Sequence, residues 1–251
     1  MIEDFITYQL AMHYLPNISI RLERLFATII QACTEKHPVI HHTALTNIVE
    51  IIQIIEKPEL KSRFIKEFMR IDHFLIKSTN CIPNLPHDFK QEVALKIQLL
   101  QQLSGKFGEN IHQDGFLQSI RVAQTPNNND LEINAPQLVY WLAHDTKYRQ
   151  TNLQHWIQQL HTLYAIVKIY LTFLRSIAIF QQIMLVNGYC HQPITNKATC
   201  QLILIKINKS NEIIPKIQLG HHGLSIRLYT GLDFKEIQES ENILELAIAK
   251  F

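Results

Sequence analysis

The stretch LGHHGLSIRLYTG, residues 219–231, sets Gly220, two histidines and Gly223 ahead of an alternation of apolar and non-apolar side chains. A period of two puts Leu224, Ile226 and Leu228 on one face of a strand, and Ser225, Arg227 and Tyr229 on the other. Neighbouring runs carry the same texture: IMLVNGYC (183–190), CQLILIKIN (200–208), EIIPKIQLG (212–220) and NILELAIA (242–249). Asn208 to Asn211 and Gly220 to Gly223 supply turn residues between them, so an antiparallel meander is expected. Arg227 beside Tyr229 on the open face then has two readings: an ordinary solubilising charge, or the floor of a site that captures an anion.

Upstream the pattern changes to helical spacing. No glycine precedes Gly105. Asn17 is placed to cap a helix with Ile18, Leu22, Leu25, Phe26, Ile29 and Ile30 on one side. Thr43 to Glu56 carries Leu45, Ile48, Val49, Ile52 and Ile55 at the same period, and Pro58 opens another helix from Glu59 to about Lys77. Further helices are expected from about Pro86 to Leu103, over Asp114–Ala123, and over residues 136–142. CIPNLP (81–86) and TPNNND (125–130) read as loops. A single long helix is expected from about Thr151 to Gln182, apolar nearly all round in its second half. Phe5, Thr7 and Gln9 alternate with Ile6, Tyr8 and Leu10. The fold class is therefore α+β. A mainly α-helical body, 13–182, is followed by a C-terminal antiparallel β-sheet domain, 183–251, with residues 3–11 as an added strand.

Composition narrows the function. Of 251 residues, 47% are apolar and 18% charged, which suits a sizeable core and argues against disorder. A net charge of +2 does not suit a polybasic nucleic-acid binder. The start, MIEDFITYQL, is neither a secretory signal nor a transit peptide. LYAIVKIYLTFLRSIAIF (163–180) approaches the length of a membrane span, yet Lys168 and Arg175 sit inside it, so burial in protein is expected. Cys33, Cys81, Cys190 and Cys200 form no CxxC pair and read as buried thiols of a reducing cytoplasm.

A search for chemistry finds little. GxGxxG, GxxxxGK, GxSxG and HExxH are all missing. The pairs His41–His42 and His221–His222 are poor chelators, because adjacent side chains diverge on a helix and oppose one another on a strand. Cys190, His191 and Cys200 are scattered ligands at best. Glu236, Glu239 and Glu241 read as one solvated face. No catalytic residue, cofactor or metal is assigned. An enzyme, such as a hydrolase using His221 or His222, would need a deep pocket with a perturbed titratable cluster. Two cationic groups suit binding better. Lys57, Lys61, Arg63, Lys66 and Arg70 follow one another around Pro58, interleaved with Glu56, Glu59 and Glu67, which also suits a solvated, salt-bridged helix. Arg227, with Lys206, Lys209 and Lys216 on nearby strands, also suits strand-edge protection.

Blocks in order along the chain carry a resemblance. They include YLPNISIRLERLF (14–26), NIVEIIQIIEKPELKSRFIKEF (47–68) and DGFLQSIRV (114–122). LVYWL (138–142), HWIQQLHTLYAIVKIYLTFLRSI (155–177), LVNGYCHQ (185–192) and GHHGLSIRLY (220–229) follow. Together they resemble the ZapD family of bacterial cell-division proteins, which associate with the tubulin-like FtsZ. The resemblance implies a helical domain plus a β-domain and a cytoplasmic, non-enzymatic homodimer at the mid-cell division ring. Its implied partner is the C-terminal tail of FtsZ, whose filaments it would cross-link and bundle. It further implies tail-binding arginines on the surface between the domains. Arg227 stands at one such position and Lys57 at another. Gly223 falls at or beside a place where a further arginine is expected. On this reading Arg227 and Lys57 meet carboxylates, Lys61 adds charge and Tyr229 offers an apolar surface. Neither nucleic acid nor membrane insertion enters it. The alternative is a non-enzymatic scaffold for another acidic protein partner.

Overall fold

The computed structural model describes residues 4–77, 82, 85–123, 135–194, 196–220, 223–238 and 241–251. The TPNNND loop, Cys81, Pro83, Asn84, His221, His222 and Glu239 lie outside them, and so do the expectations attached to them. The chain divides into two compact units. One holds the described residues of Met1–Asn17, Cys81–Leu85 and Thr172–Phe251; the other holds those of Ile18–Asn80 and Pro86–Leu171.

The helices among the described residues are α1 Tyr14–Ala32, α2 Pro38–Ile55, α3 Glu59–Lys77, α4 Phe89–Gln102, α5 Glu109–His112, α6 Gly115–Ala123, α7 Pro136–Ala143, α8 Thr146–Gln159 and α9 His161–Ile177. α1 begins before Asn17, whose N–H already bonds the His13 carbonyl, so Asn17 is a first-turn residue and not the expected cap. α2 also begins earlier than expected: the His37 ring accepts from the Val39 N–H and Pro38 occupies the first position. The single long helix expected over 151–182 is two. Leu160 leaves helical geometry (φ −94°, ψ 1°) and α9 starts immediately after it. No glycine or proline marks that break. The chain leaves α9 at Ile177 and enters a strand at Gln181.

Aromatic side chains fill the helical unit. Phe64 meets Phe107 and Tyr170 edge to face, with centroids 6.2 and 6.0 Å apart, a favoured arrangement of ring quadrupoles. A second group stacks Phe116 on Trp156 at 5.6 Å. Asp114 fixes that group through both oxygens: one caps Leu117 N–H at 3.0 Å, the other accepts the Trp156 indole N–H at 2.9 Å.

The strands are β1 Phe5–Ala11, β2 Gln181–Val186, β3 Tyr189–Pro193, β4 Cys200–Asn208, β5 Ile213–Leu219, β6 Gly223–Thr230 and β7 Glu241–Lys250. They form one antiparallel sheet in the order β1-β4-β7-β2-β3-β6-β5. The expected N-terminal strand is present, with Phe5 opposite Asn208 and Ala11 opposite Leu202. β2 and β3 share a single residue pair, Val186 with Tyr189. The two-residue turn there is Asn187–Gly188, both at positive φ (52° and 67°), the requirement of a type I′ hairpin. At this corner the sheet curls onto itself. Leu185, Ile203, Ile205 and Leu244 from one part share a core with Leu224, Ile226 and Leu228 from the other. The alternation read from LSIRLY is thereby realised: its three apolar residues are fully buried. β5, an edge strand, carries Pro215 and Lys216, residues that discourage edge pairing.

Candidate functional site

β6 lies between β3 and β5, so its outward residues have neighbours on both sides. Arg227 stands opposite Tyr189 on β3 and opposite Lys216 on β5. The guanidinium carbon lies 5.2 Å from the centroid of the Tyr189 ring, a cation–π distance. Lys216 Nζ lies 5.9 Å from the Tyr229 ring. Two residues back on the same face, the Tyr189 hydroxyl and His191 Nδ1 lie 3.5 and 3.3 Å from Ser225 Oγ. Tyr189, His191, Ser225, Arg227, Tyr229 and Lys216 thus make a mixed aromatic and cationic surface on three strands.

Arg227 also has an acidic partner. After β6 the chain turns back, and Glu236 bridges to Tyr229. Arg227 Nη1 donates to Glu236 Oε1, with the arginine side chain 47% exposed and the glutamate 36%. Glu236, read as part of a solvated face, is indeed exposed and is in addition tied to Arg227. Lys206 and Lys209 are not neighbours of Arg227. Lys206 lies on β4, separated from β6 by three intervening strands, where its Nζ is 3.5 Å from Glu245 and 4.2 Å from the Phe5 ring. Lys209 opens the turn after β4.

Lys57 and Lys61 belong to the helical unit. Lys57 is exposed between α2 and α3. Lys61, half-buried, donates from Nζ to the Leu103 carbonyl and so satisfies an acceptor at the C-terminal end of α4. The expected run of ion pairs along α3 is redistributed. Arg70 pairs with Glu67 at 2.9 Å, whereas Glu56 accepts both Arg121 amino groups across 65 residues of chain. His112 Nδ1 lies 3.9 Å from the same Glu56 carboxylate. These three side chains line an open cavity of about 560 Å³ with Lys106, Glu109 and Gln118.

Gly223 shows why an arginine is missing there. A Cβ built on it would lie 2.3 Å from the Gln192 carbonyl oxygen, far inside contact distance. The start of β6 approaches β3 too closely for any side chain.

Burial raises the thiol pKa of Cys33, Cys190 and Cys200, and pushes the Tyr170 phenol far up; none of these groups lines the cavity beside Glu56. Among the described residues no three His, Cys, Asp or Glu side chains gather as a metal site would need, and no helix is long and apolar enough to cross a membrane.

A helical unit and a curled antiparallel sheet with a mixed aromatic and cationic face describe the molecule, and comparison with known sequences gives its family. The family model described as "ZapD: Cell division protein" matches residues 20–227. The chain belongs to the ZapD family. It is 26% identical to the Cell division protein ZapD of Coxiella burnetii (strain RSA 331 / Henzerling II), over 98% of this chain and 96% of that one. It is 24% identical to the protein of the same name from Azoarcus sp. (strain BH72), over 83% and 84% of the two chains. The Cupriavidus metallidurans protein of that name is 26% identical over the same shares.

Tyr189 is not singled out from the sequence, and Glu236 is read there only as part of a solvated face. A signal existed for the first: Asn-Gly between VNGYC residues marks a tight hairpin, which brings Tyr189 to a strand start. Nothing in the pattern around Glu236 indicated that its segment returns to β6.

Proposed function

We propose that this protein is a non-enzymatic cytoplasmic factor that binds the C-terminal tail of FtsZ. As a homodimer it cross-links and bundles FtsZ filaments at the mid-cell division ring. The observation that carries this reading is Arg227, exposed on the outer face of β6 and braced by Tyr189, in a chain whose family is one of cell-division proteins. A flexible tail with acidic and apolar residues needs a planar cation for a carboxylate and an aromatic surface for its side chains. Arg227 supplies the first; Tyr189 and Tyr229 supply the second. Lys57 adds charge on the helical unit, and Lys61 keeps further N–H groups beyond the one it gives to Leu103.

Exposed ion pairs contribute about 0.2–1 kcal/mol each. A few of them with modest apolar burial give affinity around micromolar, roughly −8 kcal/mol. Two equivalent sites on a symmetric dimer and many tails on a filament raise the overall avidity by about 10²–10⁴. Bundling then follows, since one dimer holds two filaments.

Two measurements test it together. Titration of the protein with a labelled FtsZ tail peptide is expected to saturate in the micromolar range. Co-sedimentation is expected to show bundles with intact FtsZ and none with FtsZ lacking its tail. Equal bundling of tail-less filaments would rule the reading out and favour another acidic partner.

A further inference from the structure

Arg227 does not wait with an empty fork. Its partner Glu236 sits on the strap 231–238, and the backbone of that strap is clamped at its return. Thr230 N–H donates to Lys235 O at 3.0 Å, Lys235 N–H donates to Thr230 Oγ1 at 3.1 Å, and Ile237 N–H donates to Leu228 O at 3.0 Å. The Ile237 side chain packs into the sheet core. Glu236 is therefore held opposite Tyr229 by bonds on both sides, while its carboxylate stays partly exposed. The tip of the same strap displays Leu232, 90% exposed, and Phe234, 68% exposed, next to Asp233. Acid beside exposed apolar side chains is the chemistry that the Arg227 surface would recognise in an incoming tail.

We infer that Glu236 is a built-in stand-in for the ligand carboxylate, occupying Arg227 until an acidic peptide displaces it. This rests on the tail-binding reading above. Displacement asks only for rotation of the Glu236 side chain, because the backbone on either side of it is bonded to β6. Three consequences follow. The guanidinium is kept in place over Tyr189 in the unliganded protein. A neutral peptide has no group with which to replace Glu236. Affinity for an acidic one is held below what the bare site would give, since one ion pair is broken for each one made.

The test is fluorescence anisotropy of a labelled FtsZ tail peptide on the full chain, comparing wild type, Glu236→Gln and Asp233→Asn. Both substitutions remove one negative charge from the strap, but Asp233 lies 3.6 Å from Lys235 and not on Arg227. Loss of one exposed competitor is expected to lower Kd by roughly 1.5- to 5-fold for Glu236→Gln. Asp233→Asn is expected to leave it near wild type. An unchanged or raised Kd for Glu236→Gln, or an equal gain in Asp233→Asn, overturns the inference while leaving tail binding intact. A wild-type protein that never binds the peptide removes the underlying reading and this one with it.

Discussion

Arg149 Nε donates to His41 Nδ1 at 2.8 Å, both side chains buried, and among the described residues no carboxylate joins the group. Arg149 also donates to the carbonyls of Leu142, His144 and Lys36, so α8, the end of α7 and the approach to α2 are fastened by one guanidinium. Because His41 Nδ1 accepts, its proton sits on Nε2 and is donated to Glu35 O at 3.0 Å. His41 is thus part of the frame of the helical unit.

Removing that guanidinium leaves several buried acceptors without a donor. Arg149→Met is expected to destabilise the protein by about 3–5 kcal/mol, in the range seen when a buried charge-assisted network loses a member. His41→Phe, which strands one Arg149 donor, is expected to lose about 1–3 kcal/mol. Urea unfolding followed by far-UV circular dichroism measures both. A loss under 1 kcal/mol for Arg149→Met would mean that water or a relaxed helix end replaces the network.

Arg227→Glu is expected to weaken tail-peptide binding roughly ten-fold, because one attraction becomes a repulsion on a screened surface. Stability should stay within about 1 kcal/mol of wild type, as the side chain is exposed and carries little packing. Bundling by the wild type should also decline as salt rises past physiological strength, where the screening length is about 8 Å. Peptide titration, thermal unfolding and pelleting across a salt series read these outcomes. Bundling that ignores salt would contradict a cationic grip.

Gly223→Arg offers a counter-intuitive case. It adds a cation where one would strengthen an anion site, yet the first carbon of any side chain there meets the Gln192 carbonyl at 2.3 Å. The expected result is destabilisation by about 2 kcal/mol or more, with β3 and β6 forced apart. Gain of tail affinity at unchanged stability would show that the strand pair yields.

Alkaline pH should loosen the fold in a defined window. Burial raises the folded pKa of Cys33, Cys190 and Cys200 above 9.0, and that of Tyr170 above 10.0. A raised folded value means the unfolded chain loses its protons first. The contribution to stability is complete below about pH 8 and declines as pH passes the unfolded values toward the folded ones. Urea midpoints measured from pH 8 to pH 10.5 should fall steadily. A flat profile would show that these groups ionise as readily in the folded protein.

Alternation and helical spacing made the classes of element legible. LSIRLY faces inward and outward as its period requires, and Phe5 to Leu10 joins the sheet. Features that depend on distant chain were not legible. Leu160 ends a helix with no glycine or proline beside it to announce the break. Lys206 and Arg227 look equivalent as strand cations, yet three strands separate β4 from β6 in the sheet order. Arg227 was readable as an outward cation, but its two nearest partners depend on a hairpin corner and a returning strap. The Gly223 position marked a departure whose cause, a backbone approach, only the register reveals.

The pairing of Phe5 with Asn208 has a bearing on how the molecule is made. On the ribosome, β1 emerges roughly two hundred residues before the strand that receives it, a wait on the order of ten to forty seconds at ordinary elongation rates. The helical half can condense meanwhile, since its residues, up to Leu171, are made before β4, whereas the sheet must stay open until β4 and β7 arrive. Nascent chains stalled before β4 should therefore carry an unsatisfied amino-terminal strand and attract chaperones.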